Sequence, residues 1–319
     1  MATKISSHFL IFVMEKKELI RDFIDLNKIS LQAIKNLEYI EYAFGQYGIL
    51  DEWNQFTKYI EERFGSKEEY KKYYNETKEK FLKYVKGLPE FQTFNTQDMS
   101  RFRFDFPEDV CKGNQYTESN VGKTLLSIDL KKANFQALKY CGVFKEETYS
   151  DLISKFTDIP FLRTSKYLRS VVFGQLNPGR HITVESWLVN SLRPEIPDTL
   201  RLVCMASDEL VYEVPEDVII LKSDLDGTKQ KIYERYGLEI SAEYYKLNVL
   251  TLESSISKKQ CKIYSKESLC GDGTVYKCIP NNLWLIFNKL LKNEPIEDYD
   301  NWIEHDGVLS KYIESFTLK

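Results

Sequence analysis

The chain has 319 residues, with 44 Lys and Arg against 48 Asp and Glu for a net charge of −4. That length gives one large domain or two modest ones, and 14% aromatic content with 21 Tyr and 19 Phe argues against a disordered chain. The slight negative charge argues against a nucleic-acid coat held by bulk electrostatics, so any polyanion would need a local basic track.

In chain order, FLIFVM (9–14) is too short to span a bilayer and lacks a basic leader or a small-residue cleavage site, so it reads as a buried strand. Residues 18–44 carry apolar residues at three- and four-residue spacing and read as helix. SKEEYKKYYNETKEKFLKYVKG (66–87) reads as a second helix, with a Ser start, a Glu three positions later and a Gly stop. Its Lys71, Lys72, Lys78, Lys80, Lys83 and Lys86 alternate with Tyr70, Tyr73, Tyr74 and Tyr84. Such a face either tracks a phosphate backbone or is a solvated surface with glutamates interspersed, the commoner use of a charge run. Pro, Gly and the alternation SRFRFDF mark 87–115 as strand and loop.

From residue 121 the texture changes. TLLSIDL (124–130) is a short buried strand ending in an acid, followed by helices expected over 131–142, 164–176 and 180–192. LRLVCMA (200–206) and LVYEVP (210–215) are apolar runs on either side of Ser207, Asp208 and Glu209. VIIL (218–221), a helix near 227–237 and a strand in 244–254 follow, then a hairpin around Gly271-Asp272-Gly273. Residues 283–291 and the last twenty residues read as helical. Six scattered cysteines do not form a secreted disulfide framework. Cys261, Cys270 and Cys278, with His305 the one downstream histidine, lack the spacing of a zinc site and read as reduced thiols around that hairpin. The expectation is a soluble intracellular protein without a membrane segment. Lys-, Asn-, Ile- and Tyr-rich usage points to an AT-rich genome and from there to a viral source, with a host-cell cytoplasm or replication compartment as its location.

Asp129 and Asp208 share one pattern, a buried apolar strand that terminates in a carboxylate. Two such strands side by side would put both acids at one sheet edge. Neighbouring carboxylates repel unless cations lie between them, and Mg²⁺ prefers oxygen ligands. A two-metal site for phosphoryl transfer needs this arrangement. A strand-end Asp that merely caps a loop is the ordinary alternative.

SDELVYEVPED (207–217) resembles the third catalytic motif of family A DNA polymerases, His-Asp-Glu-Leu-Val-Phe-Glu-Val-Pro. SIDLKKANFQAL (127–138) stands where that family has its first motif, and SKYLRSVVFGQL (165–176) follows the pattern of its fingers helix. The resemblance covers about residues 121–250. It implies an α+β fold, a polymerase-type palm of antiparallel sheet with packed helices, plus a mostly helical N-terminal region. Residues 1–115 would be the helical region, 116–255 the palm with a short fingers helix, and 256–319 a C-terminal hairpin and helices. The implied activity is template-directed nucleotidyl transfer on primer-template from nucleoside triphosphates, with two Mg²⁺ ions or Mn²⁺ as cofactors. Asp129, the carbonyl of Leu130 and Asp208 would hold the metals, with Glu209 as auxiliary acid. Lys166 and Arg169 would grip the triphosphate, Phe173 would press on the incoming nucleotide, and Asn134 would stand near the sugar.

The chain departs from that family at Ser207, Asn134 and Asn177-Pro178, and residues 174–206 are too few for its full fingers. Compactness resembles reverse transcriptases and RNA-dependent RNA polymerases instead. There NPGRHITVESWLVNSL (177–192) is similar to the second motif, with a Gly turn before a helix, and Lys246 to a fourth-motif lysine. In that reading Arg101, Arg103, Lys112 or Lys123 would take over the triphosphate. A primase-like or untemplated terminal transferase, and an inert palm that only binds nucleic acid as an accessory, complete the alternatives.

Overall fold

The computed structural model describes residues 17–26, 37–305 and 308–319. The strand expected at 9–14 lies outside the described residues, as does the middle of the helix expected over 18–44. The described part is mixed α+β, with twelve α-helices and a curled, mostly antiparallel sheet. No described helix is long and apolar enough to cross a membrane.

Five helices come first: α1 (Lys17–Leu26), α2 (Leu37–Gln46), α3 (Leu50–Phe64), α4 (Lys67–Gly87) and α5 (Pro89–Thr96). The Ser66 hydroxyl accepts from the Glu69 amide at 3.2 Å and starts α4, as a Ser cap should. Phe23, Phe44 and Trp53 pack edge to face and close a small aromatic core between α1, α2 and α3. On α4, Tyr70 is buried and Tyr73 and Tyr74 are half-buried against the core, while Lys72 and Lys80 pair with Glu69 and Glu76. Three of the four tyrosines therefore turn inward and only Tyr84 stays exposed, which fits the solvated reading of that helix.

The sheet begins with the short β1 (Cys111–Lys112) and continues with β2 (Thr124–Leu130), β3 (Arg201–Met205), β4 (Glu209–Glu213) and β5 (Ile240–Ser254). Then follow β6 (Gln260–Ser268) and β7 (Thr274–Lys277). Their order is β1-β3-β4-β2-β5-β6-β7, all antiparallel except β1 beside β3. Of the strand-and-loop passage expected over 87–115, only the two-residue β1 is strand; Pro89–Thr96 is α5 and Ser100–Phe102 is a 3-10 turn. Between β2 and β3 lie α6 (Ala133–Tyr140), α7 (Tyr149–Ser154), α8 (Pro160–Thr164), α9 (Lys166–Phe173) and α10 (Pro178–Ser191). Helix α11 (Lys222–Tyr236) joins β4 to β5, so β2 to β5 form a β-α-β-β-α-β unit with interleaved strands. VIIL (218–221) forms no strand and leads into α11 instead.

Strand pairing gives the sheet two unlike faces. Leu126, Ile128 and Leu130 of β2 share a face with Leu210, Tyr212 and Tyr244, and this face packs on α6, α10 and α11. Asp129, Ser127 and Leu125 point the other way, alongside Glu209, Val211, Ser241 and Tyr245. Helices α4 and α5 contribute Phe81, Leu82, Phe91 and Phe94 to the core behind the sheet, so this core crosses the boundary expected at residue 115.

The long β5 carries the sheet past residue 255, where β6, β7 and β10 (Phe316–Leu318) pair around it. Helix α12 (Trp284–Leu291) packs beneath, and a separate hairpin forms from β8 (Trp302–His305) and β9 (Val308–Lys311). Among the described residues of the last twenty, Trp302–His305, Val308–Lys311 and Phe316–Leu318 are strands where a helix was expected. Trp302, Ile303, Phe316 and Leu318 follow no helical face, and strand pairing satisfies the backbone there.

One side chain ties the end of β2 to the start of β5. The amide of buried Gln136 donates to the carbonyls of Lys131 and of Glu239 (2.8 Å), and its oxygen accepts from the Glu239 amide at 2.8 Å. This clamp holds the turn in which Lys132 adopts a left-handed backbone with φ of 52°. Gln136→Ala takes this partner from the Lys131 carbonyl and the Glu239 amide, while the Glu239 carbonyl keeps the Lys131 amide, and should cost about 1–3 kcal/mol in urea denaturation. A loss smaller than about 0.5 kcal/mol, the range of neutral surface changes, would show that the clamp is dispensable.

Candidate active site

The site grows from the central strand. β2 pairs with β4 so that Asp129 lies opposite Glu209, and with β5 so that Asp129 lies opposite Ser241. The Leu130 amide donates to the carbonyl of Asp208 at 2.8 Å, which fastens the end of β2 to the tip of the β3–β4 hairpin. The Ala206 amide donates to the Glu209 carbonyl at 2.9 Å and closes that hairpin, leaving Ser207 and Asp208 at its tip. Amide and carbonyl of one residue point to the same edge of an antiparallel strand, so the Leu130 carbonyl also faces the tip.

Three carboxylates therefore meet at one end of the sheet, each with a hydroxyl partner. The Ser241 hydroxyl donates to Asp129 at 3.2 Å, and the Ser127 hydroxyl donates to Glu209 at 2.5 Å. Ser207 lies 3.4 Å from the Asp208 carboxylate. The carboxyl of Asp129 is raised from the ordinary 3.8 to about 6, by burial first and then by the charges of Asp208 and Glu209. All three acids are half-buried.

A residue with no sequence signal completes the arrangement. Gln115 is fully buried in the segment that crosses the front of the sheet. Its amide donates to Glu209 at 3.3 Å and to the Tyr245 hydroxyl at 3.0 Å. Glu209 thus receives two donors on the same oxygen, which fixes its orientation beside Asp129. An uncharged amide in a loop has no periodic pattern, so only its contacts reveal it.

The nucleotide-binding residues expected on the fingers helix do not join this cluster. Helix α9 packs on α1 and α4. Phe173 is completely buried, its ring against Phe81, Phe144, Tyr149 and His181. No face remains for a base, so the stacking role expected for Phe173 gives way to core packing. Arg169 lies 5.8 Å from the ring of Tyr149, and Lys166 is exposed. Asn134 is half-buried at the start of α6, where its side-chain oxygen accepts from the Phe135 amide at 2.8 Å. Lys246 pairs with Thr124 at the opposite end of β2 from Asp129 and on the opposite face, about 17 Å along the strand. The fourth-motif role expected for Lys246 therefore falls.

A different set of residues lies next to the hairpin tip. A cleft of about 930 Å³ is lined by Arg103, Asp105 and Lys112, by Phe104 and Phe106, by Ile182 and Thr183 of α10, and by Ala206 and Ser207. Its wall ends at Ser207, the residue before Asp208. Arg103 and Lys112 are exposed, and Lys112 sits over the Phe106 ring at 5.8 Å. Helix α10 begins at Pro178 with Asn177 left-handed at φ of 58°, so Asn177 makes the turn that was expected of Gly179.

Among the described residues, no group of three or more His, Cys, Asp or Glu side chains is arranged to hold a metal ion. The donors at the tip are two carboxylates, Asp129 and Asp208, and the Leu130 carbonyl. This all-oxygen set suits Mg²⁺, which retains several waters and completes its shell with substrate phosphate rather than with a full protein cage. All six cysteines are free thiols, Cys261 and Cys270 half-buried and Cys278 exposed.

Because the fold favours protonated Asp129, its stabilising contribution is full below pH 4 and is lost as pH rises through 6. Asp129→Asn should therefore stabilise the metal-free protein at pH 7 by about 1–2 kcal/mol, discounted for partial exposure, with the difference shrinking toward pH 4. Urea denaturation in chelator at both pH values measures it, and a variant less stable than the parent at pH 7 would contradict the charge cluster.

No protein-family model, curated protein or solved structure matches this chain, so its chemistry is read from the geometry above.

Proposed function

We propose that this protein is a metal-dependent nucleotidyltransferase that extends a nucleic-acid strand from nucleoside triphosphates, built on a compact polymerase-type palm. The observation that carries the reading is the meeting of Asp129 and Asp208. They are 79 positions apart in the chain, yet one backbone hydrogen bond joins the strand end to the hairpin tip that carry them. An antiparallel sheet with helices on one face and acids on the other supports a palm.

Asp129, Asp208 and the Leu130 carbonyl would hold two Mg²⁺, which when bound supply charge for activating the attacking 3′ hydroxyl and neutralising the leaving pyrophosphate. The chain's own contribution is placement and charge. Ser241 orients Asp129, while Ser127 and Gln115 orient Glu209, which stays an auxiliary acid. Arg103 and Lys112 point to the cleft as the triphosphate pocket. An arginine there can grip two phosphate oxygens at once. The short chain between α9 and β3, the buried Phe173 and the cleft that carries Arg103 and Lys112 favour the compact reverse-transcriptase-like or RNA-polymerase-like layout over a reduced family A enzyme. Nucleic acid is the partner in either case.

Primer extension with DNA or RNA templates and with deoxy- or ribonucleotides, in Mg²⁺ or Mn²⁺, tests the reading. Asp208→Asn should lower incorporation by at least ~10²-fold, and chelation should abolish it. Arg103→Ala should raise KM for the nucleotide about tenfold with a smaller effect on kcat. Full incorporation by Asp208→Asn would overturn the metal assignment. Nucleic-acid binding by the parent without incorporation on any template would instead favour an inert accessory palm.

A further inference from the structure

Two of the six free cysteines stand opposite each other. The parallel pairing of β1 with β3 makes Cys111 the register partner of Cys204. Adjacent strands lie about 4.8 Å apart, inside the roughly 4.4–6.8 Å span between Cα atoms that a disulfide bridges. Their thiols converge on one acceptor, the carbonyl of Asn114, at 4.0 Å from Cys111 and 3.8 Å from Cys204. No other two cysteines are register partners among the described strands. Cys111 is exposed and Cys204 is fully buried, so one sulfur can meet an oxidant while the other waits beneath it.

We propose that Cys111 and Cys204 are a modification site, a thiol pair that closes to a reversible disulfide in response to small-molecule disulfides. The Cys111 thiolate attacks one sulfur of the oxidant, written RSSR, forming a mixed disulfide and releasing RS⁻. The Cys204 sulfur then attacks the Cys111 sulfur, loses its proton to the released thiolate and expels the second RS⁻. One RSSR and two protein thiols become one protein disulfide and two RSH, the two electrons passing from the thiol pair to RSSR. The order of attack follows from the environments. Burial, and then the neighbouring Cys111 thiol, push the Cys204 thiol up to about 12, so it is the resolving and not the attacking sulfur.

The bridge would join the two walls of the cleft that carries Arg103 and Lys112. Lys112 follows Cys111, pairs with Met205, and lines the cleft with it. The Gly113 amide donates to the Met205 carbonyl at 3.0 Å, so the 111–113 segment already rides on the strand that leads to Asp208. Closing the disulfide makes that docking covalent and stiffens the cleft. This regulatory consequence rests on the nucleotidyltransferase reading, but the disulfide does not.

The test is to treat the full chain with graded oxidised glutathione, block remaining thiols with iodoacetamide, and map peptides before and after dithiothreitol. The expected result is a dithiothreitol-sensitive link between the Cys111 and Cys204 peptides, absent in Cys111→Ser. A glutathione adduct that stays on Cys111, or a link from Cys111 to any other cysteine, overturns the proposal. In primer extension the oxidised protein should lose activity that dithiothreitol restores, while Cys111→Ser keeps its activity in oxidant. Extension unchanged by a mapped Cys111–Cys204 link would overturn the regulatory consequence. A mapped link in a protein that extends no primer would leave the disulfide standing and remove the polymerase reading.

Discussion

β2 is held along both edges, by β4 on one side and β5 on the other, so its register is specified twice. A slip of one residue against either neighbour would turn Leu126, Ile128 and Leu130 out of the core and push Ser127 and Asp129 into it. Such a slip would bury a carboxylate without a partner, at a cost of several kcal/mol. The apolar alternation behind the sheet thus fixes where the acids stand in front of it. Asp129 has no freedom to move away from Glu209, and the Leu130 amide holds Asp208 at the same end.

Three carboxylates in one place are unfavourable, and the fold tolerates them because each is solvated by the protein. The Ser241 hydrogen bond favours charged Asp129 against the burial that raises it, while Ser127 and Gln115 donate to Glu209. The site is therefore poised, with its negative charge only partly met from within. On the rear face, packing on α6, α10 and α11 offsets the strain of that cluster. Gln136 contributes from the same side by pinning the turn after β2. The rear of the sheet stabilises what the front destabilises, a division of labour common at functional sites.

Much of this was legible in the residues. TLLSIDL and LRLVCMA are short apolar runs bounded by polar turns, and each forms a strand near whose end an acid sits. Ser66 starts its helix where a capping residue should. What was not legible has physical reasons. Phe173 fits a motif pattern, but pattern records spacing, and whether a ring faces a ligand or the core depends on the helices packed around it. Gln115 and Gln136 sit in a loop and a helix with no charge to draw attention, and their roles arise from partners 94 to 130 and 103 positions away. The final strands were hidden because apolar residues at mixed spacing fit either period; the edge of the long β5 decides β10, while β8 and β9 decide each other by pairing.

On the proposed reading, the placement of positive charge separates the two polymerase layouts. A triphosphate would have to reach the acids with its phosphates held, so the gripping cations would border the hairpin tip. Helix α9 is fixed against α1 and α4, and its Phe173 is locked in the core, so bringing Lys166 and Arg169 to the tip would require breaking that packing. Arg103 and Lys112 need no such change. They come from the segment before β2, and the cleft they line already ends beside Asp208. On that proposal, a phosphate grip drawn from upstream of the first acid would need no long insertion between α9 and β3, the stretch where a family A enzyme would place most of its fingers.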